Sequence, residues 1–141
     1  MIFLKDREKV FNYLEEAGVL FLATVNHDKP KNRPIGFKML VDNQIYFLVG
    51  ENKDVFEQMM KNTNVEFVGL IGDKFIRYYG RVVFDADEDH FLLNNAFEVM
   101  PVLKEMYGDD SENKAVIFHV DKATAELHNM MGVEETYNFL S

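Results

Sequence analysis

Residues 20–53 constrain the fold most, because short apolar runs in this segment are separated only by turn signals. Residues 19–25 form a continuous apolar run that predicts a buried strand, and the polar residues 26–30 predict the loop of a hairpin. The second strand of this hairpin is predicted over residues 33–41, with Pro34 restricting its start to a sheet edge or a bulge. Strands joined by such short loops pair in the antiparallel sense.

The rest of the chain repeats this pattern and adds helices between the hairpins. The acidic residues up to Asp89 predict the start of a helix that reaches Val99, and Pro101 predicts a second, short helical piece. Gly80 predicts a bulge in a long aromatic strand. Further strands are predicted over residues 44–49, 65–71, 75–84, 115–120 and 123–129, a two-residue turn at Asp42 and Asn43, further helices over residues 6–17 and 54–61, and a tail after residue 129. We therefore expect a mainly β, α+β fold, with an antiparallel sheet closed as a barrel and about three peripheral helices.

The supply of apolar side chains is large for one small domain. The length of 141 residues predicts a single domain over residues 1–141. The chain is 48% hydrophobic and contains 13 Phe, 6 Tyr and 8 Met residues. Because this is rich for a small monomer, we expect a second subunit to bury part of the apolar surface.

Charge and cysteine content exclude several classes of partner and site. The formal net charge of −9 disfavours nucleic acid and anionic membrane surfaces, because both require a basic protein face. The absence of cysteine excludes disulfides, thiolate metal sites and a cysteine nucleophile. The N-terminal residues lack the apolar core of a signal peptide, and no apolar run is long enough to span a membrane. These features predict a cytoplasmic protein that does not contact a membrane.

The familiar sequence signatures of enzymes are absent. The chain has no glycine-rich nucleotide-binding motif and no H-E-x-x-H zinc motif. Ser111 and Ser141 are the only serines, and their positions in a polar loop and at the terminus exclude a serine triad. The four histidines show no spacing typical of a metal site, and His119 and His128 are expected to face each other across the last hairpin as surface or hydrogen-bonded residues. No metal is expected, and catalytic residues stay unassigned.

Two basic residues remain as a candidate site. Arg33 opens a strand and Lys53 precedes a helix, so a small sheet can bring them together at one place. A phosphate is bound by a planar fork such as Arg, a point charge such as Lys, and free backbone N–H groups, and Asn52 and Lys53 offer the last two. Gly36 has no Cβ, which allows a flat ligand to lie close to the chain. The spacing alone equally allows surface ion pairs.

The order of several short motifs resembles the flavoproteins of the pyridoxamine 5′-phosphate oxidase-like family. The chain is most similar to the small NimA/NimC-type, nitroimidazole reductase-like members. The motifs that carry the resemblance are Ala23-Thr24-Val25, Pro30, Arg33-Pro34-Ile35-Gly36-Phe37, Gln44-Ile45-Tyr46-Phe47, Gly50-Glu51-Asn52-Lys53, Asn64-Val65-Glu66, Arg77 with Gly80-Arg81-Val82-Val83, Pro101 with Leu103-Lys104 and Tyr107, and Ala123-Thr124-Ala125. They span nearly the whole chain.

The resemblance implies an antiparallel split β-barrel of the FMN-binding type. It further implies a homodimer with one FMN in each of two sites at the subunit interface. By resemblance, Arg33 and Lys53 hold the FMN phosphate with help from Asn52. The residues implied to line the ring and ribityl chain are Pro34, Ile35, Gly36 and Phe37, together with Val49, where related chains often place Thr. Arg77 and Tyr79 are candidates for a wall supplied by the partner chain, and Lys38 and Arg77 for the positive group near the flavin ring.

The resemblance also implies an activity. We expect an FMN-dependent oxidoreductase, a reductase that passes electrons or hydride from reduced flavin to a small flat acceptor such as a nitroaromatic compound. Oxidation of pyridoxamine phosphate is not expected, because the chain has no Trp and lacks the C-terminal segment of the oxidases. The alternative is a non-catalytic module that binds flavin or haem for sequestration or sensing, with His119 or His128 as the haem ligand.

Overall fold

A computed structural model of the chain describes residues 5–141 as four helices and eight strands. The helices are α1 (Asp6–Ala17), α2 (Asp54–Lys61), α3 (Phe91–Val99) and α4 (Val102–Tyr107). The strands are β1 (Leu20–Asn26), β2 (Lys29–Ile35), β3 (Met39–Val41), β4 (Gln44–Gly50), β5 (Asn64–Ile71), β6 (Lys74–Phe84), β7 (Ala115–Asn129) and β8 (Gly132–Asn138). In the described part of the chain, no helix has the length and apolar character needed to cross a membrane.

The strands form one antiparallel sheet in the order β2-β1-β5-β6-β7-β4-β3, with β8 paired to β7. This confirms the predicted fold class. The expectation of a closed barrel is wrong, because β2 and β3 stand at the two ends of the sheet and do not pair. Only the link of residues 36–38 connects these two end strands, and the sheet remains split there.

The single strand predicted over residues 33–41 is wrong, because the link of residues 36–38 interrupts it. Its first residues belong to β2 and its last three form β3. The hairpin before it is tighter than predicted, with only His27 and Asp28 in the turn instead of residues 26–30. Pro34 pairs with Phe21 on β1 and lies on a strand at the end of the sheet. Proline is tolerated at an edge because its missing N–H would face outward, so this prediction for Pro34 is confirmed.

The C-terminal third of the sheet differs from the prediction. The two strands expected over residues 115–120 and 123–129 form the single strand β7, and the expected tail contains β8. Gly80 explains the difference: the pairing of β6 with β7 shifts at this residue, as predicted for a bulge. A Cβ on Gly80 would lie 2.7 Å from Cγ1 of Val120, so the bulge requires glycine. The polar residues of β7 opposite Gly80, including Lys122 with a φ of 50°, are part of this bulge and do not form a turn.

The helix after β6 begins later than predicted. The acidic residues 85–89 precede α3, which starts at Phe91. The Asp87 carboxylate accepts hydrogen bonds of 2.9 Å from the amides of Leu92 and Leu93, so it satisfies free N–H groups at the helix start from outside the helix. Pro101 separates α3 from α4, as predicted, which gives four helices where about three were expected.

Two apolar clusters position the helices around the split. The larger one fills the inside of the sheet under α1 and α2, where the rings of Phe47 and Phe67 stack at 4.2 Å. The smaller cluster lies on the opposite side of β4 and holds α3 and α4 through Leu48, Ala96 and Leu103. Burying a Leu or Phe side chain contributes about 1.5–3 kcal/mol, so both helical layers are fixed against β4. The open side of the sheet lies where these two layers meet.

Candidate functional site

A cavity of about 630 Å³ occupies the split between the two sheet ends. Its walls come from the end of β2, the link to β3, the end of β4, the start of α2 and the pair α3–α4. It is lined by Leu22, Arg33, Pro34, Ile35, Gly36, Phe37, Leu48, Val49, Gly50, Asn52, Lys53, Asp54, Val55, Met100, Leu103, Met106 and Tyr107. The charged residues gather at the end next to α2, and apolar side chains line most of the remainder.

The cavity brings together nearly all of the residues that the sequence singled out. The predicted residues that line it are Arg33, Pro34, Ile35, Gly36, Phe37, Val49, Asn52 and Lys53, and their binding of a cofactor stays a prediction. Arg77 lies elsewhere, on β6, with its Nε atom 4.0 Å from Glu66 and its guanidinium 5.8 Å from the centre of the Phe75 ring. Its predicted role was on the wall of a partner chain, which a single chain does not test, so that role stays a prediction.

Arg33 is held in place by neutral groups. Its Nη1 donates to the Leu22 carbonyl at 3.2 Å and to Thr24 Oγ1 at 2.5 Å, and its Nη2 donates to Gln58 Oε1 at 2.6 Å. Thr24 donates to the same Gln58 oxygen at 2.6 Å, which joins β1, β2 and α2 in one network. This network orients the guanidinium without neutralising it.

Within the described residues 5–141, Arg33 forms no ion pair. Among residues 5–141, no carboxylate lies within 4.0 Å of Arg33 or Lys53, so the alternative of surface ion pairs is not realised. Burial lowers the pKa of the Arg33 guanidinium, and the charge of Asp54 partly opposes this shift. The side chain remains protonated, because arginine does not lose its proton in proteins. A half-buried cation without a counter-ion is a strong attractant for an anion.

Lys53 is the residue immediately before α2 and lines the same cavity as Arg33. We predicted that Asn52 and Lys53 offer free backbone N–H groups, but the Lys53 amide donates to the Gly50 carbonyl at 3.1 Å. Lys53 therefore contributes its side-chain ammonium and not its own amide. The side chain is exposed, which leaves the ammonium free to reach a ligand at the cavity mouth.

Two glycines leave room for a ligand or for neighbouring polar groups. No atom lies within 4 Å of the position that a Cβ on Gly36 would occupy, so the cavity reaches the backbone there, as predicted. At Gly50 the corresponding position is 2.8 Å from Asn52 Oδ1 and 3.0 Å from the Tyr107 hydroxyl. Gly50 thus allows two polar side chains to meet over one backbone position.

Sequence reasoning missed one wall of the site. Met100, Leu103, Met106 and Tyr107 come from α3–α4 and close the cavity opposite the link of residues 36–38. The segment contains the Pro101, Leu103 and Tyr107 pattern, which was noted only as part of a resemblance. No local sequence signal shows that the helices α3 and α4, which are distant in sequence, pack close to residues 33–53 in the fold. Burial raises the pKa of the Tyr107 hydroxyl, so this group stays protonated at neutral pH.

Lys38 is not part of the cavity. Its Nζ donates to the Gly18 carbonyl at 2.6 Å, just beyond the end of α1, and lies 3.7 Å from Glu15. Burial lowers the pKa of this ammonium, and Glu15 opposes the shift. The contacts of Lys38 hold the link of residues 36–38 against the end of α1, and its suggested place near a flavin ring stays a prediction.

No histidine lines the cavity. His119 Nδ1 lies 2.9 Å from both carboxylate oxygens of Asp85, and His128 Nε2 lies 2.8 Å from Glu126. Both are hydrogen-bonded sheet residues, as predicted, but they lie on the same strand and not on facing strands. Within residues 5–141, no three His, Asp or Glu side chains cluster closely enough to hold a metal ion.

Comparison with known structures supports the resemblance inferred from the motifs. A NimC/NimA family protein from Clostridium acetobutylicum matches with a TM-score of 0.85 and 28% identity, over 96% of this chain and 95% of that one. A pyridoxamine 5′-phosphate oxidase-related, FMN-binding protein from Nostoc punctiforme matches with a TM-score of 0.62 and 15% identity, over the whole of both chains. A haem-binding protein from Mycobacterium smegmatis matches with a TM-score of 0.68 and 11% identity, over 99% of this chain and 60% of that one.

No family model and no curated protein matches the sequence. The predicted resemblance is confirmed at the level of structure, since the solved neighbours are NimC/NimA and pyridoxamine 5′-phosphate oxidase-like proteins. They share with this chain the predicted split-barrel type of fold, with its mainly antiparallel sheet. At identities below 25% the likeness extends to the fold alone, so the ligand of this chain has to be argued from its own cavity.

Proposed function

We propose that this protein binds FMN in the cavity of the split, with the phosphate at Arg33 and Lys53. The observation that carries the proposal is the half-buried Arg33 guanidinium, which is oriented by neutral partners and has no carboxylate of residues 5–141 within 4.0 Å, although the charge of Asp54 acts on it from farther away. Planar guanidinium groups bind phosphate oxygens through two parallel hydrogen bonds, and a nearby ammonium adds a second positive charge.

The rest of the cavity suits the other parts of a flavin. Its volume is within the range of about 300–1,000 Å³ that is typical of small-molecule sites. Pro34, Ile35, Gly36 and Phe37 form one side, where the open space beside Gly36 allows a flat ring to approach the backbone. Apolar side chains from α3–α4 face this side. A cavity with charged residues at one end and mostly apolar residues elsewhere fits a phosphate carried by an aromatic ring system.

We propose that the protein with bound FMN acts as an oxidoreductase. A bound flavin supplies the transfer of hydride or of single electrons, and the protein binds, orients and shields it. The acceptor is a small flat molecule, for example a nitroaromatic compound, that fits against the apolar wall of Leu103 and Met106. Tyr107 is the neutral hydroxyl on that wall, and the cationic end keeps the phosphate away from the reacting face.

We further propose a homodimer in which the partner chain completes the site. Arg77 and Tyr79 lie on β6, outside the cavity of their own chain, where Tyr79 donates to Glu126 at 2.5 Å. Large apolar side chains are exposed at several positions of the same sheet, among them Phe21 at 44% and Leu70 at 66%. Sedimentation of the purified protein tests this: a dimer at micromolar concentration is expected, and a monomer that binds FMN fully would contradict it.

The experiment for the proposed function is a titration with FMN. We expect a yellow protein, or quenching of FMN fluorescence with a 1:1 end point per chain, and a rise in melting temperature with excess FMN. A protein that binds no FMN and gains no thermal stability from it refutes the proposal. Anaerobic addition of NADH or NADPH, followed by a nitroaromatic acceptor, then tests for turnover.

The alternative of a non-catalytic binding module gives a different result in the same experiment. Such a module binds flavin but shows no reduction by either nicotinamide and no transfer to acceptors. Haem binding through His119 or His128 is not supported, because both side chains are engaged with carboxylates away from the cavity. A haem titration that gives no Soret band shift excludes this form of the alternative.

A further inference from the structure

We propose that the Tyr107 hydroxyl is a direct ligand of the cofactor phosphate, so that α4 takes part in recognising the charged end of the flavin. The proposal rests on the proposed function, because it concerns the same cavity. It adds a residue from the helical wall to a phosphate site otherwise built from β2 and the start of α2.

The position of the hydroxyl carries the argument. The Tyr107 oxygen and Asn52 Oδ1 both lie within 3.0 Å of the point where a Cβ on Gly50 would stand, and Lys53 Cγ lies 3.3 Å from that point. A hydroxyl on the last residue of α4 is thus located beside the residue that supplies the ammonium. The tyrosine belongs to the charged end of the cavity although its ring comes from the apolar wall.

The hydroxyl has no partner that would explain its placement. The ring of Tyr107 packs against the smaller apolar cluster and the residue lines the cavity, while its hydroxyl makes no hydrogen bond with another group of residues 5–141. Burial raises the pKa of the hydroxyl, with no carboxylate contributing to the shift. The group therefore carries its proton at neutral pH and acts as a donor, which is the role that a phosphate oxygen requires.

Glycine at position 50 makes this placement feasible. A Cβ at position 50 would lie 2.8 Å from the Asn52 oxygen and 3.0 Å from the Tyr107 oxygen, so one or both of these side chains would have to shift. A methyl group would displace these two polar atoms from each other and from the start of α2. Gly50 is therefore the backbone position that allows β4, α2 and α4 to converge on one ligand group.

The test compares FMN with riboflavin, which has the same ring and ribityl chain but no phosphate. Tyr107→Phe keeps the ring and removes only the hydroxyl. We expect it to weaken FMN binding by about 10- to 100-fold, the effect of one hydrogen bond to a charged group. Riboflavin affinity should change by less than about twofold, because the lost bond involves the phosphate alone. Tyr46→Phe is the matched control, since Tyr46 packs against the same cluster but does not line the cavity.

The possible outcomes separate this inference from the proposed function. If the unaltered protein binds neither flavin, the proposed function fails and the inference with it. If it binds FMN, an equal loss of both flavins in Tyr107→Phe, or no loss of either, overturns only the role of Tyr107. Gly50→Ala provides a second variant that reports on the same point: a selective loss of FMN affinity is expected, and unchanged FMN affinity in a folded variant contradicts the inference.

Discussion

Replacing Arg33 with alanine tests the charged end of the cavity most directly. The guanidinium makes three hydrogen bonds to the fold, and the cost of desolvating this half-buried cation offsets much of their contribution to stability. The Gln58 oxygen keeps the bond from Thr24 after the substitution, so it is not left unpaired. We therefore expect unfolding free energy to fall by only about 1–2 kcal/mol, with the fold retained.

The effect on ligand binding is expected to be larger than the effect on folding. Loss of a charge-assisted partner costs about 1.5–3 kcal/mol, which corresponds to FMN binding weaker by about 10- to 150-fold. Riboflavin, which has no phosphate, should lose less than about twofold in affinity. Arg33→Lys keeps the charge but lacks the planar fork that reaches Thr24, Gln58 and a phosphate together, so an intermediate affinity is expected.

Flavin fluorescence titrations at constant ionic strength measure these affinities, and thermal melts confirm that each variant folds. Arg81→Ala is the matched control, since Arg81 is exposed, donates to Thr63 at 3.2 Å and lies outside the cavity. If folded Arg33→Ala binds FMN as tightly as the unaltered protein, the phosphate does not sit at Arg33 and the reasoning from its missing counter-ion is refuted.

Two further predictions concern the fold. Glu135 accepts hydrogen bonds from Tyr137 and, at 2.7 Å, from Tyr13, and these bonds lower its pKa from 4.5. Since the folded state holds the carboxylate, this stability is present above pH 4.5 and is lost as the pH falls through the folded pKa. Glu135→Gln should thus destabilise by about 1–2 kcal/mol at pH 7 and by much less near pH 3, as thermal melts at both pH values would show. Gly80→Ala should cost about 1–3 kcal/mol in urea unfolding, because its Cβ meets Val120 at 2.7 Å; an unchanged midpoint would contradict the bulge argument.

Elements with local signals were predicted well. The helix over residues 6–17 and the helix over residues 54–61 match α1 and α2, because their apolar stripes lie within the segments themselves, although neither helix has a side-chain N-cap hydrogen bond. Asp42 and Asn43 both have positive φ, 49° and 60°, as the predicted two-residue turn between β3 and β4 requires. These features depend only on neighbouring residues, which the sequence displays directly.

The strands β7 and β8 could not be predicted from local signals in the same way. A polar pair such as Asp121 and Lys122 favours a turn when it is considered locally. Its role as part of a bulge depends on Gly80, which pairs with this region only after the sheet forms. The strand β8 was missed because the turn at the end of β7 consists of the exposed apolar residues Met130 and Met131, which are not typical turn residues. The turn is instead stabilised by the flanking Asn129, whose side chain accepts a hydrogen bond of 2.7 Å from the Met131 amide.

The site shows the same division between local and distant causes. Arg33 and Lys53 were identified because phosphate chemistry restricts the residue types that bind it. Tyr107 was not, because its hydroxyl reaches Gly50 only through the packing of α4 on the smaller apolar cluster. A residue type as common as tyrosine gives no chemical signal by itself, and its role follows only from the group that it faces.

The break between β2 and β3 connects the error in the predicted fold to the site. Residues 33–41 have the composition of one strand, but Lys38 turns its ammonium to the Gly18 carbonyl near the end of α1, which pulls residues 36–38 out of the ladder. A continuous strand would pair along its length and close the sheet. The break leaves the sheet split, and the space beside Gly36 becomes one side of the cavity. The link of residues 36–38 therefore both leaves the barrel open and forms one side of the candidate binding site.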